Sequence, residues 1–311
     1  MTLQQTKRVI AGTVNDIADN HILSFAAALS YYFVLAFFPA LIALAAIVAY
    51  LPIPNLFDTI ITTMTRVLPP ESMGLIRRVA SDVISPSRGA LLSAGLVGTL
   101  WTCSSGFAEL IEALNVAYDV PETRPFWKTR LLAFGLIFGF GTLMILAFAF
   151  IILDPRFGEL LARHLGLSWA FAPLWPTLRY VLAVSFTIVA VVQLYLLAPN
   201  LKQRFTSCLP GAIMAVAGWI LLSDALSLYF RVFAHLNRTY GALGGGVALL
   251  TWLYWSSFFI LLGAKLNSKI IQQCGDDPLA MKQPPPPKVK PVVAATAVAA
   301  PPANDVAAKL E

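Results

Sequence analysis

Six stretches of this chain contain no Asp, Glu, Lys or Arg: Ile22–Phe57, Gly89–Ala108, Leu131–Leu153, Tyr180–Leu201, Phe205–Ser223 and Thr239–Ala264. A bilayer's hydrocarbon core, about 30 Å thick, takes roughly 20 apolar residues of helix to cross. The pattern therefore predicts an all-α fold: a polytopic membrane helical bundle of six transmembrane helices. The spans are expected over about 24–51, 90–108, 131–153, 179–198, 209–230 and 241–264.

Between and before these runs the pattern changes to mixed apolar and polar positions. Val9, Ile10, Thr13, Val14 and Ile17 recur at helical spacing, with Lys7, Arg8, Asn15, Asp16 and Asp19 mostly elsewhere. That suits an interfacial amphipathic helix over residues 1–22, lying on the membrane before the first span. Two more short amphipathic helices are expected at 55–68 and 71–84, separated by Pro69-Pro70. Residues 154–178, with Pro155, Pro173 and Pro176, read as a loop, and Trp169 and Trp175 read as interface anchors. Pro39 lies within the first span and predicts a kink. Gly135, Gly139 and Gly141 permit close helix contact in the third span.

Composition agrees with the pattern. Hydrophobic residues make up 58% of the 311 and charged residues 12%, about half the charged share of an average soluble domain. The domain organisation is then a terminal helix (1–22), a membrane domain (23–272) and a disordered Pro/Ala-rich tail (273–311) that cannot bury a core. An even number of spans places both termini on one side. The distribution of Lys and Arg, with the long 52–88 connection discounted, favours the cytoplasm.

Little in the residue inventory points to an enzyme. Cys103, Cys208 and Cys274 form no CxxC pair, and His21, His164 and His235 are scattered. No catalytic residue, metal site or cofactor is expected. With no large basic block and no clustered His/Asp ligands, a nuclease and a nucleic-acid partner are both excluded.

Three segments together carry a resemblance. They are FAAALSYYFVLAFFPALIALAAIV at 25–48, LIEALNVAYDVPETRPFWKTRLLAF at 110–134 and YGALGGGVALLTWLYWSSFFILLGAKLN at 240–267. In combination they resemble the YihY/BrkB family of bacterial inner-membrane proteins, long mislabelled ribonuclease BN. The resemblance covers roughly residues 10–272. It implies a six-helix protein of the cytoplasmic membrane, and transport or export of a lipid or envelope component. The chain departs from the family's usual Gly-Ala-Glu-Leu-Asn at Gly263-Ala264-Lys265-Leu266-Asn267.

Candidate pathway residues follow from charge near lipid. Asp224 is the acidic residue well inside a span, so it is expected to face the bundle interior or to pair near a helix end. Glu109, Glu112 and Asn115 form a polar stripe where the second span leaves the membrane. That stripe is either a vestibule for a proton, cation or head group, or a solvated extension paired with Arg124, Lys128 or Arg130. Arg124 either binds phosphate or caps local structure. Pro39, Gly244, Gly245 and Gly246 are candidate hinge or packing positions. The glycines are also weighed as an anion cradle at the start of span six.

The function expected is non-enzymatic: transport, export or binding of a lipid or other amphiphilic envelope component. A structural scaffold of the cell envelope is the alternative. Membrane lipids are the expected partners; a homo-oligomer and envelope-protein partners stay open.

Overall fold

The computed structural model describes residues 12–13, 21–49, 62, 73–74, 89–152, 168–232 and 237–274. Among these the fold is all helical, with six long helices: α1 (Ile22–Ala49), α2 (Gly89–Ala117), α3 (Phe126–Ile152), α4 (Ser168–Leu197), α5 (Phe205–Val232) and α6 (Asn237–Cys274). Four of them, α3 to α6, contain described stretches long and apolar enough to cross a membrane. The short amphipathic helices expected at 1–22, 55–68 and 71–84 fall almost wholly outside the described residues, as does the tail beyond Cys274.

Each helix packs on its neighbours in sequence, and α6 returns to pack on α1 and also on α2. The result is a ring of helices. At its near end α1, α3 and α5 begin, and α2, α4 and α6 finish. The core is densest there, where Leu110, Ile111 and Leu114 of α2, Leu194 and Tyr195 of α4, Ala212 and Ala215 of α5, and Leu261 and Ala264 of α6 are buried together.

Small residues bring the helices together. Gly211 of α5 and Gly263 of α6 face one another so closely that a Cβ on either would collide with the other's carbonyl oxygen. A Cβ at Gly218 would strike the Phe259 ring. In α3 only part of the expected glycine contact is realised: a Cβ at Gly139 would collide with the Gln193 side chain, whereas Gly135 and Gly141 meet nothing. The spacing of three glycines cannot say which of them the neighbouring helix crosses.

Several local expectations need correction. Residues 168–178, read as loop, belong to α4, which runs through Pro173 and Pro176. In a medium without water a chain must satisfy its backbone internally, so helix persists past residues that would end it in water. Trp175 is buried rather than an interface anchor. Exposed large aromatics lie elsewhere, Trp101, Phe126 and Trp127 among them. Gly244, Gly245 and Gly246 do not open their helix: α6 begins at Asn237, two turns earlier. Their backbone N–H groups therefore serve the helix ladder, and the anion-cradle reading fails. Gly245 is buried, and Gly246 meets no neighbour where a Cβ would sit. Pro39 sits within α1, which continues through it, and its carbonyl accepts a hydrogen bond from Thr99 Oγ1 at 3.0 Å.

Candidate functional site

The polar chemistry gathers at the near end, and it starts from how α2 stops. Val120 N donates to Asn115 O at 2.9 Å and Asp119 N to Val116 O at 3.1 Å. That is a helix-terminating pair of bonds that needs a left-handed residue between them. Asp119 supplies it with φ 57°, a conformation usually left to glycine or asparagine. The carboxylate explains why an aspartate stands there. It accepts two hydrogen bonds from Lys265 Nζ, at 2.9 and 2.7 Å, and one from Gln272 Nε2 at 3.2 Å. Lys265 is completely buried. Its partner ties the end of α2 to α6, across 146 residues of sequence.

A second clasp joins the loop after α2 to the end of α4. Arg124 donates to Glu122 through Nε and Nη2, at 2.8 and 2.7 Å, and through Nη2 to Ala198 O at 2.7 Å. Asn115, buried, donates to Glu122 Oε2 at 2.8 Å and accepts from Asn200 N at 2.7 Å. Asn200 in turn donates to Pro121 O and Thr123 Oγ1. Burial pushes the Glu122 carboxyl up, but the Arg124 hydrogen bonds and charge, with the Asn115 amide, outweigh it and hold the group below its ordinary value. In this geometry Arg124 caps the Ala198 carbonyl just past the end of α4.

A third set lies deeper, where α4, α5 and α6 meet. Asn267 accepts from Gly211 N at 2.7 Å and donates to Cys208 O at 3.0 Å. Tyr195 donates to Ile260 O at 2.6 Å, and Gln203 donates to Tyr195 O. The two Asn267 bonds hold backbone groups on either side of Pro210, which lies inside α5.

Beside this packed end runs a cleft of about 860 Å³. It follows the outer face of α2 from Ser105 to Val116, about 17 Å of helix rise. Tyr32 of α1 lines it on one side, and Phe126, Thr129 and Arg130 of α3 on the other. Glu109, Glu112, Asn115 and Arg124, four of the five residues singled out as pathway candidates, line this one cleft. They are not equivalent. Each step of three residues turns a helix by 300°, so Asn115 stands about 120° round from Glu109. Asn115 therefore points into the core while Glu109 is half-buried and Glu112 exposed.

Neither Glu109 nor Glu112 forms an ion pair with Arg124, Lys128 or Arg130. Glu109 lies just beyond the apolar run that ends at Ala108; burial raises its carboxyl, and the Glu112 charge adds to that. Arg130 has its guanidinium 4.3 Å from the centre of the Trp101 ring and donates to Ser105 Oγ at 3.2 Å. Its Nε, shielded from solvent, has no acceptor among the described residues.

Asp224 is elsewhere. It lines a separate cleft of about 240 Å³ between α3, α4 and α5, with Phe148, Tyr180, Thr187 and Trp219. Thirteen residues of α5, about 20 Å of rise, separate it from Gly211. It is exposed, not turned to the interior, because it stands half a turn of helix from the buried Ala215. No hydrogen bond or ion pair reaches it among the described residues. Asp224 and the α2 stripe thus belong to two different surfaces.

Sequence reasoning missed Asp119, Asn200 and the ion pair of Lys265. One signal was available: Lys265 stands where the family resemblance puts a carboxylate, and a cation at that position calls for an acidic partner. Among the described residues no group of His, Cys, Asp and Glu is arranged to hold a metal ion.

The profile of the family described as Virulence factor BrkB matches residues 13–287. The chain belongs to the BrkB family. A Bacillus subtilis (strain 168) relative, the ribonuclease-like protein YfkH by name, is 32% identical over 242 residues, which cover 78% of this chain and 87% of that protein. Two UPF0761 membrane proteins are each 27% identical over 284 residues: XCC0860 of Xanthomonas campestris pv. campestris (strain ATCC 33913 / DSM 3586 / NCPPB 528 / LMG 568 / P 25) and XAC0937 of Xanthomonas axonopodis pv. citri (strain 306). The match covers 87% of this chain but only 62% and 63% of those two proteins, so the chain spans under two thirds of their length. No solved structure matches. With its long apolar helices, this BrkB-family chain is a membrane protein.

Proposed function

We propose that this BrkB-family protein is a non-enzymatic, six-span protein of the bacterial cytoplasmic membrane, with both termini cytoplasmic, that binds and moves an amphiphile, best a lipid. The observation that carries the reading is the cleft along α2. It runs along α2 beside α3, a helix long and apolar enough to cross a membrane, within reach of a molecule dissolved in the bilayer. Its walls are mixed in character. Ile111, Val116 and Phe126 provide apolar surface, and Glu109, Glu112 and Arg130 provide charge.

The depth of the cleft supports the same reading. Phe126 and Trp127, 76% and 62% exposed, stand at the first turn of α3. The Lys128 ammonium lies 5.3 Å from the Trp127 ring centre. Aromatic and basic residues together at a helix end mark the membrane–water interface. Phe126 also lines the cleft, so this end of the cleft lies at the level of lipid head groups.

A scrambling assay tests the reading. The full chain is reconstituted in vesicles containing fluorescent phospholipid, and the fraction accessible to an added quencher is followed in time. Wild type should equilibrate the two leaflets, and Ala108→Trp, which fills the cleft beside Glu109, should slow this several-fold. Wild-type vesicles indistinguishable from empty ones would sink the transport half of the proposal.

A further inference from the structure

Three charges without an ion-pair partner among the described residues line the α2 cleft, and they do not cancel one another. Among the described residues Glu109 and Glu112 have no ion-pair partner, and Arg130 has none either, although the three share one cavity. The other charged groups along it are already engaged: Arg124 with Glu122, and Asp119 with Lys265. A half-buried carboxylate and a guanidinium that share a cavity yet stay apart suit a ligand that brings both signs at once. A purely anionic head group would satisfy Arg130 and be repelled by the two carboxylates. A purely cationic one would do the reverse.

The chemistry of the walls narrows the cationic half. Two carboxylates offer several acceptor sites, which a primary ammonium with three N–H donors can use and a trimethylammonium cannot. A trimethylammonium would instead need an open aromatic face. The Trp101 face is already covered by the Arg130 guanidinium. The anionic half follows from Arg130, whose planar donors match a phosphate.

We infer that the cleft recognises a phosphoethanolamine head group, its ammonium held by Glu109 and Glu112 and its phosphate by Arg130. This rests on the reading of the cleft as an amphiphile site. The ligand is then a phosphatidylethanolamine-type lipid, with its head group in the cleft.

The test uses the full chain in nanodiscs of equal phosphatidylethanolamine, phosphatidylcholine and phosphatidylglycerol, with lipid retained after detergent exchange measured by mass spectrometry. Wild type should retain phosphatidylethanolamine about tenfold over the other two, the effect of a charge-assisted hydrogen bond. Glu109→Gln/Glu112→Gln should erase the preference while phospholipid still binds. Arg130→Gln should release phospholipid of every kind. Glu112→Lys should shift the preference toward phosphatidylglycerol, a gain that a misfolded variant cannot mimic. Equal retention of phosphatidylglycerol by wild type, or an unchanged preference in the double variant, overturns the head-group assignment and leaves the amphiphile reading standing. Displacement of the lipid by soluble phosphoethanolamine at matched concentration supports the head-group assignment and overturns the amphiphile reading.

Discussion

Lys265 and Asp224 are both ionisable groups on long apolar helices, and the structure treats them in opposite ways. Lys265 is sealed at the near end of the ring, with the Asp119 carboxylate bonded to its ammonium. Asp224 stands on the outer surface beside a small cleft, with no bonded partner among the described residues. A charge at the end of an apolar run is thus either a fastener or a surface feature, and its own helix does not say which. What decides is whether another part of the chain delivers the opposite charge. At the near end the turn after α2 does so, and holds Asp119 in a left-handed conformation to reach Lys265.

The contrast can be broken most severely at its buried half. Asp119→Ala leaves an ammonium without its main partner in the core and should cost about 3 kcal/mol, the low end for a broken buried pair because Asp119 is itself partly exposed. Chemical unfolding in detergent micelles measures this. The double variant Asp119→Ala/Lys265→Met should regain most of the loss. A single variant as stable as wild type would show that the pair does not fasten α2 to α6.

Packing comes next. Gly211→Ala forces a methyl group against the Gly263 carbonyl and should cost about 2 kcal/mol. Gly98→Ala, where a Cβ meets nothing, should be neutral or stabilise by up to about 1 kcal/mol from helix propensity. Thermal melts of the two variants side by side sharpen the difference between the tightly crossed end and an open face. Equal melting temperatures would contradict it.

The Glu122 clasp should show itself through pH. Its carboxyl is held below the ordinary value, so its contribution is complete above the unfolded-state value and fades as pH falls through the folded one. Because Glu122 is partly exposed, the effect should be no more than about 1 kcal/mol. Unfolding midpoints measured between neutral and strongly acidic pH should decline less in Glu122→Gln than in wild type. Identical slopes would remove the clasp from the account of stability.

Asp224→Asn should change folding stability by less than about 0.5 kcal/mol, since no partner is lost. A loss of 2 kcal/mol or more would mean that a counter-charge reaches Asp224 after all, and the comparison with Lys265 would collapse.

Much of the architecture was legible from residue order alone. The absence of charge over membrane-length runs specifies helices, because a backbone in lipid must bond to itself. The helical cores of α3, α5 and α6 fall where the runs predicted. The helix ends do not: α4 begins eleven residues before the expected 179, and α6 continues ten residues past 264. Hydropathy marks where lipid is tolerated, not where hydrogen bonding stops. Of the site, the sequence singled out Glu109, Glu112, Asn115 and Arg124, which share one cleft, and it grouped Asp224 with them, which does not.

By itself, then, the sequence determined the solvent and the helical class of the fold. These depend on neighbours within a few residues, which periodicity records. Only the tertiary structure decided which charges are paired. Asp119 meets Lys265 from 146 residues away, and Asn115 meets Asn200 from 85. Electrostatic attraction and burial act through distance in space, and the spacing of residues along one helix carries no trace of what the next helix brings.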